Sequence, residues 1–367
     1  MADASPLSVQ ELLDRCIDFL YKLDPDKSEL DLRACALVSR SWASAAQPRL
    51  FEQISFLDLG MDSWPKLQTT LQSTPHLIPY IRRLHIIADI SLDLFSSICS
   101  FPFTHLSRVF VTAISEPLSG PIALALRQLV SAPSLEGVAL KCVVRQPAWL
   151  HQIWDVCSPR ITWLDLQYYF LDTENYDLDF QSYSPTAPFS RLESLQISIP
   201  RAPLLEEIAR YNLSHLRVLS IRAASRLWKT VTPPLPALVA LNVDPLTEDP
   251  IDLSLFPALV LFRLGSFDLQ LALDSFSTIT ATSQIRRIVI AGASFLEDAE
   301  FARLDVALSG LPVAHLLVVE LEMETGNYEL VGPAFPRLGA RNLLCRGEVN
   351  DFSGGWFQSF SLGSLSL

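Results

Sequence analysis

No Cys-x-x-Cys pair occurs among the six cysteines Cys16, Cys35, Cys99, Cys142, Cys157 and Cys345. That removes the spacing of zinc knuckles and dithiol redox motifs. Most of these cysteines sit among apolar neighbours, so free buried thiols in a reducing compartment are expected, and with them an intracellular, cytoplasmic or nuclear location. A phosphate-cradling glycine loop, a His-Glu-x-x-His helix and a Gly-x-Ser-x-Gly elbow are likewise missing. The six histidines, His76, His85, His105, His151, His215 and His315, are scattered along the chain. We therefore expect no enzyme, no metal and no cofactor. No apolar run reaches bilayer length, because the longest candidate, Leu259 to Leu273, is broken by Arg263 and Asp268. The opening residues carry Asp3, Glu11, Asp14 and Asp18, so a signal peptide is not expected. The net charge of −12 argues against a nucleic-acid or membrane partner, although a local patch can differ from the sum.

What the chain has in place of motifs is a beat. Leu192, Leu195 and Ile197 stand at places one, four and six of a short unit, and the spacing returns nine more times. The other copies are Ile81/Leu84/Ile86, Leu106/Val109/Val111, Leu135/Val138/Leu140, Ile161/Leu164/Leu166, Leu216/Leu219/Ile221, Leu238/Leu241/Val243, Leu259/Phe262/Leu264, Ile285/Ile288/Ile290 and Val313/Leu316/Val318. A weaker copy starts at Leu338, with Arg341 at its fourth place. Places four and six lie two apart, so on a strand both side chains point to one side, and that side is the core. One such strand cannot bury its apolar side alone, whereas a stack of parallel strands can. The spacing of roughly 20–30 residues therefore predicts an α/β repeat, an irregular leucine-rich-repeat solenoid shaped as a horseshoe with parallel strands on its concave face. A doubly wound α/β sheet also alternates strands and helices, but the shortest intervals leave little room for a helix and two loops. Helical pieces are expected at Trp64 to Ser73, Pro121 to Ser131, Pro147 to Val156, Leu204 to Tyr211 and Asp298 to Leu308. Turns or extended segments are expected after Leu216 and Leu238. The tail after Gly347, with Gly354-Gly355-Trp356-Phe357, reads as a cap on the last repeat.

Residues 1–51 do not follow the beat. Ser8 and Glu11 have capping-box spacing, and Leu12, Leu13, Cys16, Ile17 and Leu20 then share a helical face. Tyr21 to Glu29, with Asp24-Pro25-Asp26, reads as a loop. Leu30 to Ala46 reads as a second helical stretch, broken at most once and stopped by Pro48.

The order Leu7-Ser8-Val9-Gln10-Glu11-Leu12-Leu13, then Ile17 and Leu20, then Leu32 to Val38 and Ser39-Arg40-Ser41-Trp42 resembles an F-box. The stretch Pro48 to Phe56 is similar to the segment that follows it in fungal F-box proteins with degenerate leucine-rich repeats. Ser8 stands where the family has a proline, and the stretch between the helical parts is longer than usual. The resemblance implies an all-α F-box-like domain over 1–51 and a repeat domain over 52–367. It implies a substrate receptor, docked through the F-box on the Skp-type adaptor of a cullin–RING ubiquitin ligase and holding an unknown protein substrate on its repeats. Carried over, Leu7, Leu12, Leu13, Ile17, Leu20, Leu32, Val38 and Trp42 serve the helical parts, divided between adaptor contact and internal packing. The alternative is a small helical cap on a non-catalytic scaffold that no longer binds the adaptor.

Two surfaces are derivable for a target. If places four and six face inward, places three, five and seven face the concave side. There they place Arg83, Arg108, Lys141, Arg222, Arg263 and Arg287 against only Asp165 and Asp244. In a chain of this charge, such a basic face predicts an acidic or phosphorylated partner segment, with Arg222 and Arg263 receiving charge and Trp163 as apolar anchor. Arg108, Phe110, Asp165 and Gln167 complete that candidate site. The alternative is that these arginines only solubilise strands. The second surface is the insert from Asp165 to Ser190, which holds Tyr168, Tyr169, Phe170, Tyr176, Phe180 and Tyr183 among acids, with no Lys or Arg. It suits a basic peptide, or is a solvated loop that packs a ring or two.

Overall fold

A computed structural model describes residues 9–23, 25–55, 64–87, 92–118, 120–144, 153, 155–170, 190–198, 213–222, 235–244, 249–265, 267–291, 296–312, 316–322 and 331–347. Of the sequence expectations, Leu7, Ser8, the helix at Leu204 to Tyr211, nearly all of the helix at Pro147 to Val156, most of the acidic insert and the C-terminal tail lie outside the described residues. Two compact units divide the chain, Met1–Asp177 with Ser184–Phe189, and Leu178–Tyr183 with Ser190–Leu367.

The first unit opens with three helices, α1 (Val9–Leu23), α2 (Pro25–Val38) and α3 (Arg40–Leu50). Ile17, Leu32, Ala45 and Ala46 form their core, with Leu13, Tyr21, Cys35, Ala36, Trp42 and Leu50 packed against it. The loop expected around Pro25 is instead the start of α2, because a proline at the first helical position loses only an N–H that has no partner there. The break in the second stretch falls at Ser39, whose extended backbone and hydroxyl, accepting from Trp42 N at 3.4 Å, cap α3. Pro48 does not stop α3, which continues to Leu50. Arg49 braces this helical part to the sheet. Its guanidinium is 2.7 Å from Asp18 on α1 and 2.8 Å from Glu52, just ahead of the first strand, and lies over the Tyr21 ring.

Five parallel strands follow in chain order, β1 (Gln53–Ser55), β2 (Arg83–Ile87), β3 (Arg108–Leu118), β4 (Gly137–Val144) and β5 (Trp163–Phe170). The place-four residues Ile54, Leu84, Val109, Val138 and Leu164 stand in register, as do Ile86, Val111, Leu140 and Leu166 at place six. All are buried, as are Ile81, Leu106, Leu135 and Ile161 at place one. Between strands run α4 (Trp64–Ser73), α5 (Leu92–Cys99) and α6 (Gly120–Val130), whose apolar faces complete this core.

The second unit carries β6 (Ser194–Ser198), β7 (Val218–Arg222), β8 (Ala240–Asp244), β9 (Leu261–Leu264), β10 (Arg287–Ile290), β11 (Val318–Glu322) and β12 (Leu344–Gly347), again parallel and in chain order. Its helices are α7 (Leu269–Ser277), α8 (Asp298–Ser309) and the short α9 (Pro336–Ala340). After Leu238 the described residues hold only a 3-10 turn, Leu253–Leu255, as the short interval required. Buried Asp305 on α8 accepts from the backbone N of Arg337 and Leu338, both at 3.0 Å, and so caps α9.

The tenth copy is corrected by the ladder. From β1 to β5, and again from β6 to β10, the place-two carbonyl accepts both the place-two and the place-three N–H of the next strand, as Arg82 O does from Ser107 N and Arg108 N. Arg286 O accepts from Leu317 N and Val318 N. Leu316 is therefore place one, and Val319 and Leu321, opposite Ile288 and Ile290, are places four and six. The weak last copy is corrected too, since Leu338 lies in α9 and Leu344 stands opposite Val319.

Candidate binding surfaces

The three-helix part separates its apolar residues into two sets. On α1, Leu13, Ile17, Leu20 and Tyr21 follow helical spacing into or beside the core, while Leu12, Cys16 and Phe19, also spaced i, i+4, i+7, face solvent. On α2, Leu32, Cys35 and Ala36 pack inward, while Leu30, Ala34, Leu37 and Val38 form a second exposed row. Phe19 is 63% exposed, Val38 66% and Leu37 88%. A helix that only capped the sheet would have one apolar stripe. These have two, and the outer one has no protein to bury it within the described residues. Of the F-box-like set, Ile17 and Leu32 are interior, Leu13, Leu20 and Trp42 are half-buried, and Leu12 and Val38 are on the outside. The spacing in the sequence could have shown Phe19, Leu30 and Leu37 as their companions, because each lies on a face that the inner stripe leaves empty.

The open side of the first unit's sheet gathers Arg108, Phe110, Trp163, Asp165 and Gln167 as expected, together with Arg83, His85 and Lys141. Three rings run across it. His85 and Phe110 have centroids 5.8 Å apart, and Phe110 and Trp163 5.5 Å. Trp163 on β5 reaches over β4 toward Arg108 and Phe110 on β3 because its register partner on β4 is Gly137, which stands between it and Arg108. A Cβ there would lie 2.7 Å from Trp163 Cε3 and 3.4 Å from Arg108 Cγ. Arg108 Cζ sits 6.0 Å from the centre of the Trp163 ring, in cation–π range. Arg83 and Arg108 are register partners on neighbouring strands. Burial and the charge of Arg83 hold the Arg108 guanidinium below its ordinary range, against the pull of Glu136. Asp165 is engaged by Gln167 of its own strand at 3.3 Å. Tyr168 and Tyr169 extend β5, and their side chains lie outside the described residues.

No family model and no curated protein matches this chain. Among solved structures it is similar to a chain of the crystal structure of the Rad7 and Elc1 complex in yeast, at 14% sequence identity and a TM-score of 0.36, with 95% of this chain and 97% of that one covered.

The open side of the second unit's sheet departs from expectation. Val218, Ala240, Leu261 and Val289 there form a buried apolar cluster. Gln196, Ser220, Asn242 and Arg263, at place five of successive strands, are buried too. Asn242 donates to Ser220 Oγ at 2.8 Å and accepts from Arg263 Nη1 at 2.9 Å, and Arg263 Nε donates to Glu322 at 3.1 Å. Arg263 is thus removed as a receiver of partner charge, because its side chain is 0% exposed and its carboxylate is built in. Arg287 is likewise matched by Glu320. Both glutamates were hidden by the misplaced tenth copy, which put His315, Leu317 and Val319 on this face. Arg222 is half-buried opposite Asp244 in the ladder. The basic excess therefore persists only on the first unit's sheet.

The cysteines carry no activated thiol among those that shift. Burial pushes Cys99 and Cys142 up to about 12, raises Cys157 with help from Asp155, and raises Cys345 with help from Glu320 against the pull of Arg287. No group of three His, Cys, Asp or Glu among the described residues is placed to hold a metal ion, and no described helix is long and apolar enough to cross a membrane. With Ellman's reagent at pH 8, Cys16, which is exposed, is expected to react at once and Cys99, Cys142 and Cys157 only on unfolding. Fast labelling of those three in the folded chain would contradict their burial. The sign of their pH effect follows. The unfolded thiol ionises near 9.0 and the folded ones near 12, so their stabilisation is complete below pH 9 and is lost as pH rises toward 12.

Proposed function

We propose that this chain is a non-catalytic recognition subunit that recruits a protein target to an SCF-type cullin–RING ubiquitin ligase. In this reading α1–α3 are an F-box that docks on the Skp-type adaptor, and the strands that follow are an irregular leucine-rich-repeat array that holds the target. The observation that carries it is the second apolar row on α1 and on α2, exposed in the very segment whose residue order resembles an F-box. Solvent-facing leucine, valine and phenylalanine concentrated in some thirty residues mark a surface that a partner protein buries. Nothing in the described residues favours chemistry over binding, and the open sheet face of the first unit supplies the aromatic and arginine side chains on which protein contacts are built.

The full chain, co-expressed with a Skp-type adaptor, is expected to co-purify with it through size exclusion as a one-to-one complex. A folded full-length chain that elutes without the adaptor would refute the receptor reading and leave a helical cap on an interaction scaffold.

A further inference from the structure

We propose that Arg83, Arg108 and Trp163 form a binding site on the first unit's open sheet face for an extended acidic peptide segment of a partner, with two neighbouring negative charges seated between the arginines. The site deepens the receptor reading, since it names the chemistry of the target segment, but it rests on its own observations.

Like charges placed side by side are costly unless something neutral or negative separates them. Arg83 and Arg108 are direct partners in a parallel ladder, and adjacent strands lie about 4.8 Å apart. Neither guanidinium has an ion pair or hydrogen bond among the described residues. The contrast with the second unit is direct. Arg263 and Arg287 on its sheet each have a built-in glutamate, Glu322 and Glu320. In the first unit Asp165, on the same face, is engaged by Gln167, and Glu136, which draws on Arg108 electrostatically, makes no ion pair with it. A chain with net charge −12 has no shortage of acids, so two unmatched arginines on one face are a local exception.

Arg108 is also held in place. Arg108 packs over the Trp163 ring, and Gly137 alone permits that packing. A preset guanidinium loses less freedom when it binds an anion than a free surface arginine does. Beside it, Phe110 and His85 continue the row of rings across β3 and β2, giving apolar area along which peptide side chains can lie. The site therefore offers positive charge at one row of the sheet and aromatic faces at the next, in the period of an extended chain. An anion seated there offsets the like charge that Arg83 and Arg108 bring to one register position.

The test uses the full chain and a fluorescein-labelled extended probe, a twelve-residue peptide alternating glutamate with leucine, followed by anisotropy. A sequence-matched peptide with lysine for glutamate is the control for charge. A third peptide with one phosphoserine and otherwise serine for glutamate distinguishes a phosphate from paired carboxylates. Arg83→Gln with Arg108→Gln is expected to weaken the glutamate peptide at least tenfold, and Trp163→Leu at least threefold, with Kd rising as salt is added. Arg287→Gln, on the second unit, is expected to leave Kd unchanged. Circular dichroism and the unfolding midpoint confirm that each variant is folded. No binding of either acidic peptide, equal binding of the lysine peptide, or unchanged affinity in the double arginine variant would overturn the site. Tight binding of the phosphoserine peptide alone would overturn the paired-carboxylate assignment. Adaptor co-purification reports separately. Capture of the adaptor without acidic-peptide binding sinks this site and spares the receptor reading, and the reverse result does the opposite.

Discussion

Arg263→Met is expected to cost about 3–5 kcal/mol of stability, the largest single loss we foresee in the second unit. The substitution leaves Glu322 as a carboxylate only 5% exposed with its cation gone, and leaves Asn242 Oδ1 without the donor it now has at 2.9 Å. A buried unpaired charge is penalised far more heavily than the intact pair is rewarded, so the double variant separates the two contributions. Arg263→Met with Glu322→Leu removes both charges, and is expected to regain about half of the loss, the remainder being the cost of the unsatisfied Asn242. Urea unfolding of the full chain measures both. A single variant within about 1 kcal/mol of the parent would show that the pair is open to solvent, and Arg263 would return to the list of partner-binding residues. The geometry that makes this pair also explains why it was hard to foresee. Arg263 and Glu322 are 59 residues apart and sit on β9 and β11, with β10 between them. The small residues Gly265 and Ala291 occupy the outward row next to them, and Gly265 has no room for more, since a Cβ there would lie 2.2 Å from Asp244 Cγ.

The repeat was legible because its signal is physical and local. Two apolar residues at alternate positions, with a third three residues ahead, can be buried together only on a strand entered from a turn, and the rows Leu195-Leu219-Leu241-Phe262-Ile288 and Leu84-Val109-Val138-Leu164 are the result. The tenth copy failed where the pattern is degenerate. Val313 to Val319 is rich enough in leucine and valine that two frames fit. The frame from Leu316 was the better one, since it leaves Glu320 and Glu322 on the outward places rather than Leu317 and Val319. Even so, outward did not mean exposed in this unit, and that is tertiary information. A glutamate in a strand reads the same whether solvent or an arginine two strands away receives it. Strand β1 was missed for a different reason, because Gln53–Ser55 is short and only Ile54 reports its register. Helix α7 carried a readable sign in Asp268, whose carboxylate caps Gln270 N at 2.8 Å and Leu271 N at 3.1 Å.

The candidate sites were legible to different depths. Trp163, Phe110 and Arg108 could be placed on one face from spacing alone, because the alternation of a strand fixes the side to which each residue points. That they touch depends on Gly137, and a glycine in a strand pattern says only that something approaches closely there, not what. Arg83 stood in the same outward set but was not singled out, since a like-charged neighbour is visible only once the ladder pairs it with Arg108. For the helical part, helix periodicity shows one broad apolar face on α1, because the outer Leu12 and Cys16 stand next to the inner Leu13 and Ile17.

The outer stripe gives the second large expected effect, and helix position decides how to test it. Leu37→Lys with Val38→Lys is expected to weaken capture of a Skp-type adaptor at least 100-fold, about 2.7 kcal/mol, because it sets two hydrated charges on the surface where apolar contact would form. The same change should leave folding nearly untouched. Both residues are mostly exposed and lie outside the Ile17, Leu32, Ala45, Ala46 core, so within about 0.5 kcal/mol of the parent is expected. Lysine is the right choice here, since α2 ends at Val38 and has no basic residue in its last turn, where positive charge is favourable. On α1 the matching variant is Leu12→Glu with Phe19→Gln, which puts the acid near the N-terminal end of its helix. Isothermal titration with the adaptor, beside thermal unfolding, reads the two quantities apart. If both double variants bind the adaptor as the parent does, the exposed rows are not its docking surface and the F-box reading loses the observation that carries it. If only the α2 variant fails, contact is confined to Leu30, Leu37 and Val38, and the row on α1 is left for a different partner. A loss of binding in both, with unfolding unchanged, is the outcome that the separation of inner and outer stripes requires.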